Sequence, residues 1–396
     1  MSLSLTDSFI AEHLSDDVAS LVLHRNRYSH LSDTDFYFAL RQIEGRQLLA
    51  GKVPSLPPHW WYPPRLSCEQ CSSALTAEYK AHCLHQTMDA INQPTVLYDL
   101  TGGAGVDTLV MSRQVDVTHY VEQNTELCRL ARHNFEGLPI TVHETSAEQF
   151  LSSLTRTNQP SMLPVFYLDP ARRDTRGNKV FRLEDCSPNA VEILRQIDAI
   201  SPKCVVLIKL SPMLDLSAAL NALPRVFETH VVAVKNEVKE LLLLAAPTNV
   251  KPTITAIDLT CPAQVFSFAR DEELTAQATI HTSVLPLHYL YEPSAAILKA
   301  GAYRLVAQRW GLSKLDSNTH LYMSDEWKQD FPGRCWRIVS TQIPKDLQQA
   351  NVLTRNYVLT PEQLKKKLHL KDGGDLYVIG ARMNAKPCLF LAERLK

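Results

Sequence analysis

The chain has 396 residues, a length that suits two to four domains of roughly 100 to 200 residues each. Apolar residues make up 45% and charged residues 21% of the sequence, which disfavours disordered, collagen-like and heptad-repeat proteins. The 41 Lys and Arg nearly balance the 42 Asp and Glu, so any basic surface for nucleic acid must be local.

The sequence predicts a cytoplasmic protein. Its longest purely apolar run, residues 241–246, is far shorter than the roughly 18 residues of a membrane span. Residues 1–9 contain no Lys or Arg and no long apolar block, so we expect no secretion signal. Nine scattered cysteines, an odd number, suit reduced thiols better than a disulfide framework.

The amino-terminal region has the pattern of helices. Apolar residues recur at helical spacing from Phe36, and five prolines in residues 54–64 then predict an extended segment. A second helix is predicted to start near Ser72 or Ser73 and to bury Leu75, Tyr79 and Cys83. Capping by these serines is the simpler interpretation of residues 69–73; the alternative is that this segment folds over a ligand.

From residue 94 onward, short apolar segments alternate with helical ones, as in an α/β sheet. Most are continuously apolar, which is typical of parallel strands covered on both faces. The predicted strands are residues 95–100, 118–121, 140–143, 165–168, 204–210 and 230–234, with a further pair at 253–259 and 265–269 that can close the sheet.

A glycine-rich turn follows the first of these strands. Only 13 glycines occur in the chain, yet Gly102, Gly103 and Gly105 lie within four positions, between a strand and a helix. Glycines allow a ligand to approach the backbone, and the helix start offers free N–H groups. The dinucleotide pattern GxGxxG is not met, because Thr108 occupies the third glycine position.

Two acidic residues accompany the turn: Asp99 precedes it, and Glu122 ends the next strand. Here the chain resembles the class I S-adenosylmethionine-dependent methyltransferases, whose first motif is an acidic residue followed by GxG. The resemblance implies that Asp99 lies near the methionine part of the cofactor and that Glu122 binds both ribose hydroxyls. The alternative is a plain turn with a solvated Glu122.

The same resemblance implies further cofactor contacts. Thr101 and Gly102 belong to the turn that would face the cofactor. Ser146 and Ala147 follow the third strand, where this family contacts adenine. The implied fold is a Rossmann-like methyltransferase core with a mostly parallel sheet.

A second motif, Asp169-Pro170-Ala171-Arg172, follows the fourth strand. It resembles the motif of base-directed amino methyltransferases, in which an Asp or Asn is followed by two prolines and an aromatic residue. We expect Asp169 and the Pro170 carbonyl to orient the nucleophile, and Arg172 and Arg173 to contact substrate phosphate. Direct in-line transfer requires little more than alignment.

Alternatives remain for this motif and the loop after it. Asp-Pro-Ala-Arg is also similar to the tetrad of ribosomal-RNA uracil-C5 methyltransferases, which attack with a cysteine after the fifth strand. This chain has residues 210–212, Leu-Ser-Pro, at that place, so covalent chemistry is disfavoured. The two arginines can instead pair with Asp174 or Asp185. Residues 174–189 form either a mobile lid or a solvated loop.

A zinc site is a further alternative in the amino-terminal region. Cys68, Cys71, Cys83 and His85 are potential ligands. Their spacing is not a usual one, and Cys83 falls on the apolar face of the predicted helix. We therefore expect no metal.

The carboxyl-terminal residues 361–396 hold eight Lys or Arg against four acidic residues. Thr360 and Gln363 form the pattern of a capping box, and the helix it starts carries Lys365 and Lys366 as candidate contacts to nucleic-acid phosphate. A hairpin around Asn384 is predicted to follow.

The whole layout resembles the bacterial methyltransferases with a THUMP-like domain, and THUMP domains are RNA-binding modules of tRNA-modifying enzymes. That resemblance implies an N-terminal helical region and a C-terminal small α+β region, ferredoxin-like and THUMP-like, around the core. It implies transfer to a base nitrogen of tRNA or rRNA. The alternatives are a methyltransferase for a small molecule or protein, and a non-catalytic RNA-binding module. The expected domains are residues 1–93 (helical), 94–270 (methyltransferase), 271–325 (ferredoxin-like) and 326–396 (THUMP-like).

Overall fold

The computed structural model describes residues 5–89, 93–154, 161–171, 183–261, 264–283 and 288–395. They form two compact units. The first comprises Met1–Arg225 and Leu242–Thr248, and the second comprises Val226–Leu241 and Asn249–Lys396.

Helices and strands alternate along much of the described chain, which confirms the predicted α/β class. The helices are α1 (Leu5–Glu12), α2 (Val18–Leu23), α3 (Asp33–Leu49), α4 (Arg65–Gln70), α5 (Ala74–Asp89), α6 (Val106–Met111), α7 (Thr125–Asn134), α8 (Ala147–Ser153), α9 (Ala190–Ile200), α10 (Leu216–Ala222), α11 (Glu272–Thr275), α12 (Ala295–Ala300), α13 (Tyr303–Trp310) and α14 (Pro361–Lys367). The strands are β1 (Thr95–Asp99), β2 (Val117–Glu122), β3 (Ile140–Glu144), β4 (Leu163–Leu168), β5 (Val205–Leu210), β6 (Val226–Val234), β7 (Glu237–Ala245), β8 (Thr253–Asp258), β9 (Phe266–Ala269), β10 (Tyr289–Pro293), β11 (Ser313–Asp316), β12 (Thr319–Ser324), β13 (Gly333–Ser340), β14 (Asn351–Arg355), β15 (Leu376–Met383) and β16 (Lys386–Arg394). In the described part of the chain, no helix combines the length and apolar character that a membrane crossing requires.

The first sheet has the strand order β3-β2-β1-β4-β5-β7-β6-β8-β9. Pairing is parallel from β3 through β5, and every residue of β4 is buried, as the continuous apolar pattern predicts. Chain order reverses at β1, which lies between β2 and β4, and such a point in an open sheet leaves a crevice for ligands. The predicted closing pair is confirmed as antiparallel β8 and β9. Strand β7 was not predicted.

No helix or strand crosses the proline-rich segment before α4, but the prediction that all of it is extended was wrong, because residues 54–59 contain turns. Two buried side-chain amides hold the backbone of its last residues. Gln42 accepts a hydrogen bond from the Tyr62 N–H (2.7 Å), and Asn134 accepts one from the Trp61 N–H (2.7 Å). Trp60 is 2% exposed in a core cluster that includes Phe135. The segment therefore forms part of the first unit's core rather than a loose linker.

Helix α5 starts where serine capping predicts, with Ser73 accepting from the Thr76 N–H at 3.3 Å. The prediction of its buried face was wrong at Leu75, which is 50% exposed. The buried positions include Lys80 and Leu84, both fully enclosed. A search for apolar spacing misses this face because a lysine lies within it.

The second unit contains a sheet of order β11-β12-β10-β13-β16-β15-β14. Its carboxyl-terminal part matches the sequence predictions closely. Thr360 and Gln363 form the predicted capping box of α14, and β15 and β16 form the predicted hairpin. Asn384 and Ala385 make its turn with φ of +50° and +61°, the left-handed values that a tight hairpin requires.

A buried carboxylate joins three strands of this sheet. Glu292 of β10 is 2% exposed and pairs with Arg334 of β13 and Arg355 of β14. Both arginines remain partly exposed. A buried charge is tolerated when partners and hydrogen bonds replace its hydration, so this triad fixes the three strands together.

We predict that Glu292→Gln lowers the free energy of unfolding by about 3 kcal/mol, because both guanidinium groups lose their charged partner. Urea denaturation measures this value. The control is Glu393→Gln at the exposed pair with Arg337, for which we expect a loss below about 1 kcal/mol. Equal losses in both variants would contradict the structural importance of the triad.

Candidate active site

A cavity of about 660 Å³ opens in the first unit beyond the carboxyl ends of β1, β2, β4 and β5. This size is typical of small-molecule sites. The residues that line it are Ser67, Gln70, Cys71, Leu100, Thr101, Gly103, Ala104, Val121, Glu122, Gln123, Leu127, Thr145, Ser146, Ala147, Glu148, Asp169, Pro170, Ala171, Ser187, Pro188 and Lys209.

The glycine turn lies directly on aromatic rings. A Cβ atom on Gly102 would come within 2.1 Å of the Tyr120 ring, and one on Gly105 within 2.8 Å of the Phe135 ring. Gly105 also has a φ of +78° at the start of α6. The sequence therefore needs glycine at both places, for close packing and for backbone conformation.

The turn meets Glu122 through a backbone hydrogen bond. The Gly103 N–H donates to Oε2 of Glu122 (3.0 Å), and the Asn124 N–H donates to Oε1 (2.8 Å). The Tyr120 hydroxyl donates to the Gly103 carbonyl at 2.8 Å and so fixes the turn from below. Each carboxylate oxygen keeps acceptor capacity toward the cavity that Glu122 lines.

Asp99 lies beneath the turn and is 1% exposed. Its carboxylate accepts from the Thr101 N–H (3.0 Å) and the Thr108 hydroxyl (2.5 Å), and it is not among the residues lining the cavity. Burial raises the pKa of Asp99 to about 7, against the opposing effect of the hydrogen bonds from Thr108 and Thr101. In the structure, Asp99 connects β1 to α6.

Asp169 is positioned by its neighbours at the ends of two strands. Its backbone N–H donates to the Thr101 hydroxyl at 2.7 Å, which ties β4 to the turn. Its carboxylate lies 2.5 Å from Nζ of Lys209 on β5. Sequence reasoning missed Lys209, although a lysine inside an apolar strand was a visible signal.

Ser146 caps α8 and accepts from the Gln149 N–H at 3.2 Å. Ala147 is buried, and both residues line the cavity near the end of β3. Their contact with adenine stays a prediction. Gln70 and Cys71 line it as well, so the amino-terminal region contributes to the same cavity.

A buried polar cluster connects α5 to α6 beside the cavity. Nζ of Lys80 lies 3.0 Å from the Ser72 hydroxyl and 3.3 Å from Asp107, which also accepts from the Tyr167 hydroxyl at 2.8 Å. Burial raises the pKa of Asp107, but Lys80, Lys209 and the hydrogen bonds that the Ser72 and Tyr167 hydroxyls donate to its carboxylate outweigh that effect and lower it. Asp107 therefore stays ionised.

The remaining sequence predictions concern the two arginines after Ala171, the loop that follows them and a metal site. Arg172, Arg173 and most of the 174–189 loop lie outside the described residues. The flanking Ala171 and Ser187 pair through backbone hydrogen bonds of 2.8 and 3.0 Å. Within the described ranges, no three His, Cys, Asp or Glu side chains are grouped in a way that can hold a metal.

Known proteins are similar to this chain over most of its length. A protein from Porphyromonas gingivalis W83, whose crystal structure is described as that of a methyltransferase, is 30% identical in sequence to this chain. The two structures match with a TM-score of 0.82 over 98% of this chain and 97% of the Porphyromonas chain. An S-adenosylmethionine-dependent methyltransferase of Mycobacterium tuberculosis, found under the same description in two strains, is 24% identical over 86% of this chain and 91% of its own. The chain belongs to the S-adenosylmethionine-dependent methyltransferases.

Two family models match the carboxyl-terminal part of this methyltransferase. A ferredoxin-like domain covers residues 289–332, and a THUMP domain-like model covers residues 333–394. The predicted fold class and family resemblance are therefore confirmed. The division of the chain at residues 93, 270 and 325 stays a prediction.

The residues of the cavity fit the family's cofactor. The turn offers close backbone approach, and the carboxylate of Glu122 lies beside it in a cavity of suitable size. S-adenosylmethionine supplies an electrophilic methyl group on a sulfonium centre when bound.

We predict that Gly102→Ala abolishes binding of S-adenosylmethionine, because the new methyl group collides with Tyr120 and displaces the turn. Isothermal titration calorimetry measures the affinity. Gly51→Ala is the control, since nothing lies within 4 Å of its Cβ position. Wild-type affinity in Gly102→Ala would show that the turn does not form the cofactor site.

Proposed function

We propose that the protein methylates a base nitrogen of RNA, either tRNA or rRNA, by direct in-line transfer. The observation that carries this proposal is one chain with both a cofactor cavity and a THUMP-like region. A methyltransferase for a small molecule has little use for an RNA-binding module.

The proposed cofactor contacts follow the geometry of the cavity. Glu122 accepts hydrogen bonds from the two ribose hydroxyls, because a carboxylate binds neighbouring hydroxyls and its charge suits a cationic cofactor. Thr101 and Gly103 face the methionine part, and Ser146 and Ala147 contact adenine. Gly102 and Gly105 let the turn lie close to the rings of Tyr120 and Phe135, and Asp99 supports it from beneath.

The proposed acceptor side lies at the end of β4. Asp169 and the Pro170 carbonyl orient the nucleophile, supported by their position in the same cavity as Glu122. Arg172 and Arg173 follow directly in the chain and contact substrate phosphate. Alignment of the nucleophile with the methyl group accounts for most of the rate enhancement.

The proposed RNA surface includes the lysines of α14. Lys366 is exposed, whereas Lys365 is 29% exposed and pairs with Asp372 at 2.5 Å. Exposed lysines on a helix suit the phosphate backbone, which dominates the affinity of proteins for nucleic acids. Lys366 therefore contributes more to RNA binding than Lys365, which must first give up its partner.

We predict that deletion of the gene removes one methylated nucleoside from cellular tRNA or rRNA. Mass spectrometry of nucleosides from the mutant and parent strains detects the loss. An unchanged nucleoside profile, together with methylation of a small molecule or protein by the purified enzyme, would contradict the proposal.

Complementation of the deletion strain with variant genes tests the role of the α14 lysines in RNA binding. A Lys366→Ala gene is expected to restore less of the modification than a Lys345→Ala gene. Both lysines are exposed, but Lys345 lies outside the basic helix.

A further inference from the structure

Lys209 is a charged residue in an otherwise apolar strand. The other residues of β5 are buried, and Lys209 points its Nζ atom at Asp169 in the cavity. Its side chain is 14% exposed and that of Asp169 is 35% exposed. A lysine placed so deeply costs stability unless it is paired, so Lys209 and Asp169 form one unit within the site.

The pair presents complementary hydrogen-bonding groups to a substrate. An ammonium group only donates and a carboxylate only accepts, so together they bind a neighbouring acceptor and donor. Because the two charges cancel, the pair also adds no net repulsion toward a sulfonium cofactor. The Thr101 hydroxyl fixes the backbone of Asp169 and thereby holds this arrangement next to the turn.

The cavity offers no aromatic stacking surface among its described lining residues. Ala171 follows Pro170 in the chain, and the polar groups among these lining residues recognise an acceptor base by hydrogen bonds. Two kinds of base edge present a donor beside an acceptor: an exocyclic amine next to a ring nitrogen, and a lactam N–H next to a carbonyl.

Charge distinguishes these two edges. An amine that attacks a methyl group develops positive charge, which a neighbouring ammonium group disfavours. A lactam loses its N–H proton and places negative charge on its carbonyl oxygen, which the same ammonium group stabilises. Attack through carbon needs a thiolate, and burial raises the pKa of Cys71, a thiol in this cavity.

We propose, building on the proposed RNA methyltransferase function, that Lys209 and Asp169 recognise the lactam edge of guanine or uracil. Lys209 donates to the carbonyl oxygen, and Asp169 accepts the proton of the adjacent ring N–H. The ring nitrogen bonds to the methyl carbon as the bond from that carbon to sulfur breaks. The sulfur keeps the electron pair and becomes a neutral thioether, and the proton ends on the Asp169 carboxylate.

The test uses the full-length protein, S-adenosylmethionine with a labelled methyl group, and total RNA from cells that lack the gene. The RNA is digested to nucleosides, and mass spectrometry locates the label. We expect it on N1 of guanosine or N3 of uridine. Label at any other position of the RNA overturns this inference and leaves the RNA function standing, whereas unlabelled RNA overturns both.

The Lys209→Met variant tests the role of the charge. We expect the methylation rate at pH 7 to fall by about 10²-fold, because no ammonium group then stabilises the negative charge on the lactam oxygen. We expect the rate to recover as the pH rises. Lys209→Arg keeps the charge and should retain most activity, and Lys203→Met, at an exposed lysine before β5, should match the wild type.

Two further measurements keep this result interpretable. Melting temperature and calorimetric affinity for S-adenosylmethionine check that each variant folds and binds cofactor. A slow Lys209→Met variant whose pH profile has the same shape as that of the wild type overturns the proposed role, because a purely structural lysine would give that outcome.

Discussion

The close contact between the glycine turn and the rings of Tyr120 and Phe135 determines the rest of the site. Because Gly102 and Gly105 have no side chains, the turn lies low enough for the Gly103 N–H to reach Glu122. The same aromatic core includes Trp60 of the proline-rich segment. The amino-terminal region and the cofactor cavity therefore depend on one packed cluster within the first unit.

Buried charges serve different purposes in this chain. Lys80 is fully enclosed and connects two helices through its pair with Asp107, and Glu292 joins strands of the second unit. Lys209 differs because it lines the cavity. An ion pair that lies outside the cavity stabilises structure, whereas one that opens into a ligand cavity can exchange its partner for substrate.

Much of the site could be predicted from the sequence because it follows chain order. An acid at a strand end, a glycine turn and a second acid after the next strand indicate a cofactor cavity, and Glu122 lies in it. Chain order does not give the direction of a side chain, so it did not show that Asp99 lies beneath the turn. Apolar spacing misses lysines that long-range partners neutralise, which explains why Lys80 and Lys209 were overlooked.

The most direct test of this account is a crystal structure of the protein with S-adenosylmethionine. We expect both ribose hydroxyls within hydrogen-bonding distance of the Glu122 carboxylate, and the methyl group directed toward Asp169. A cofactor bound elsewhere, or one in this cavity with its ribose turned away from Glu122, would contradict the account.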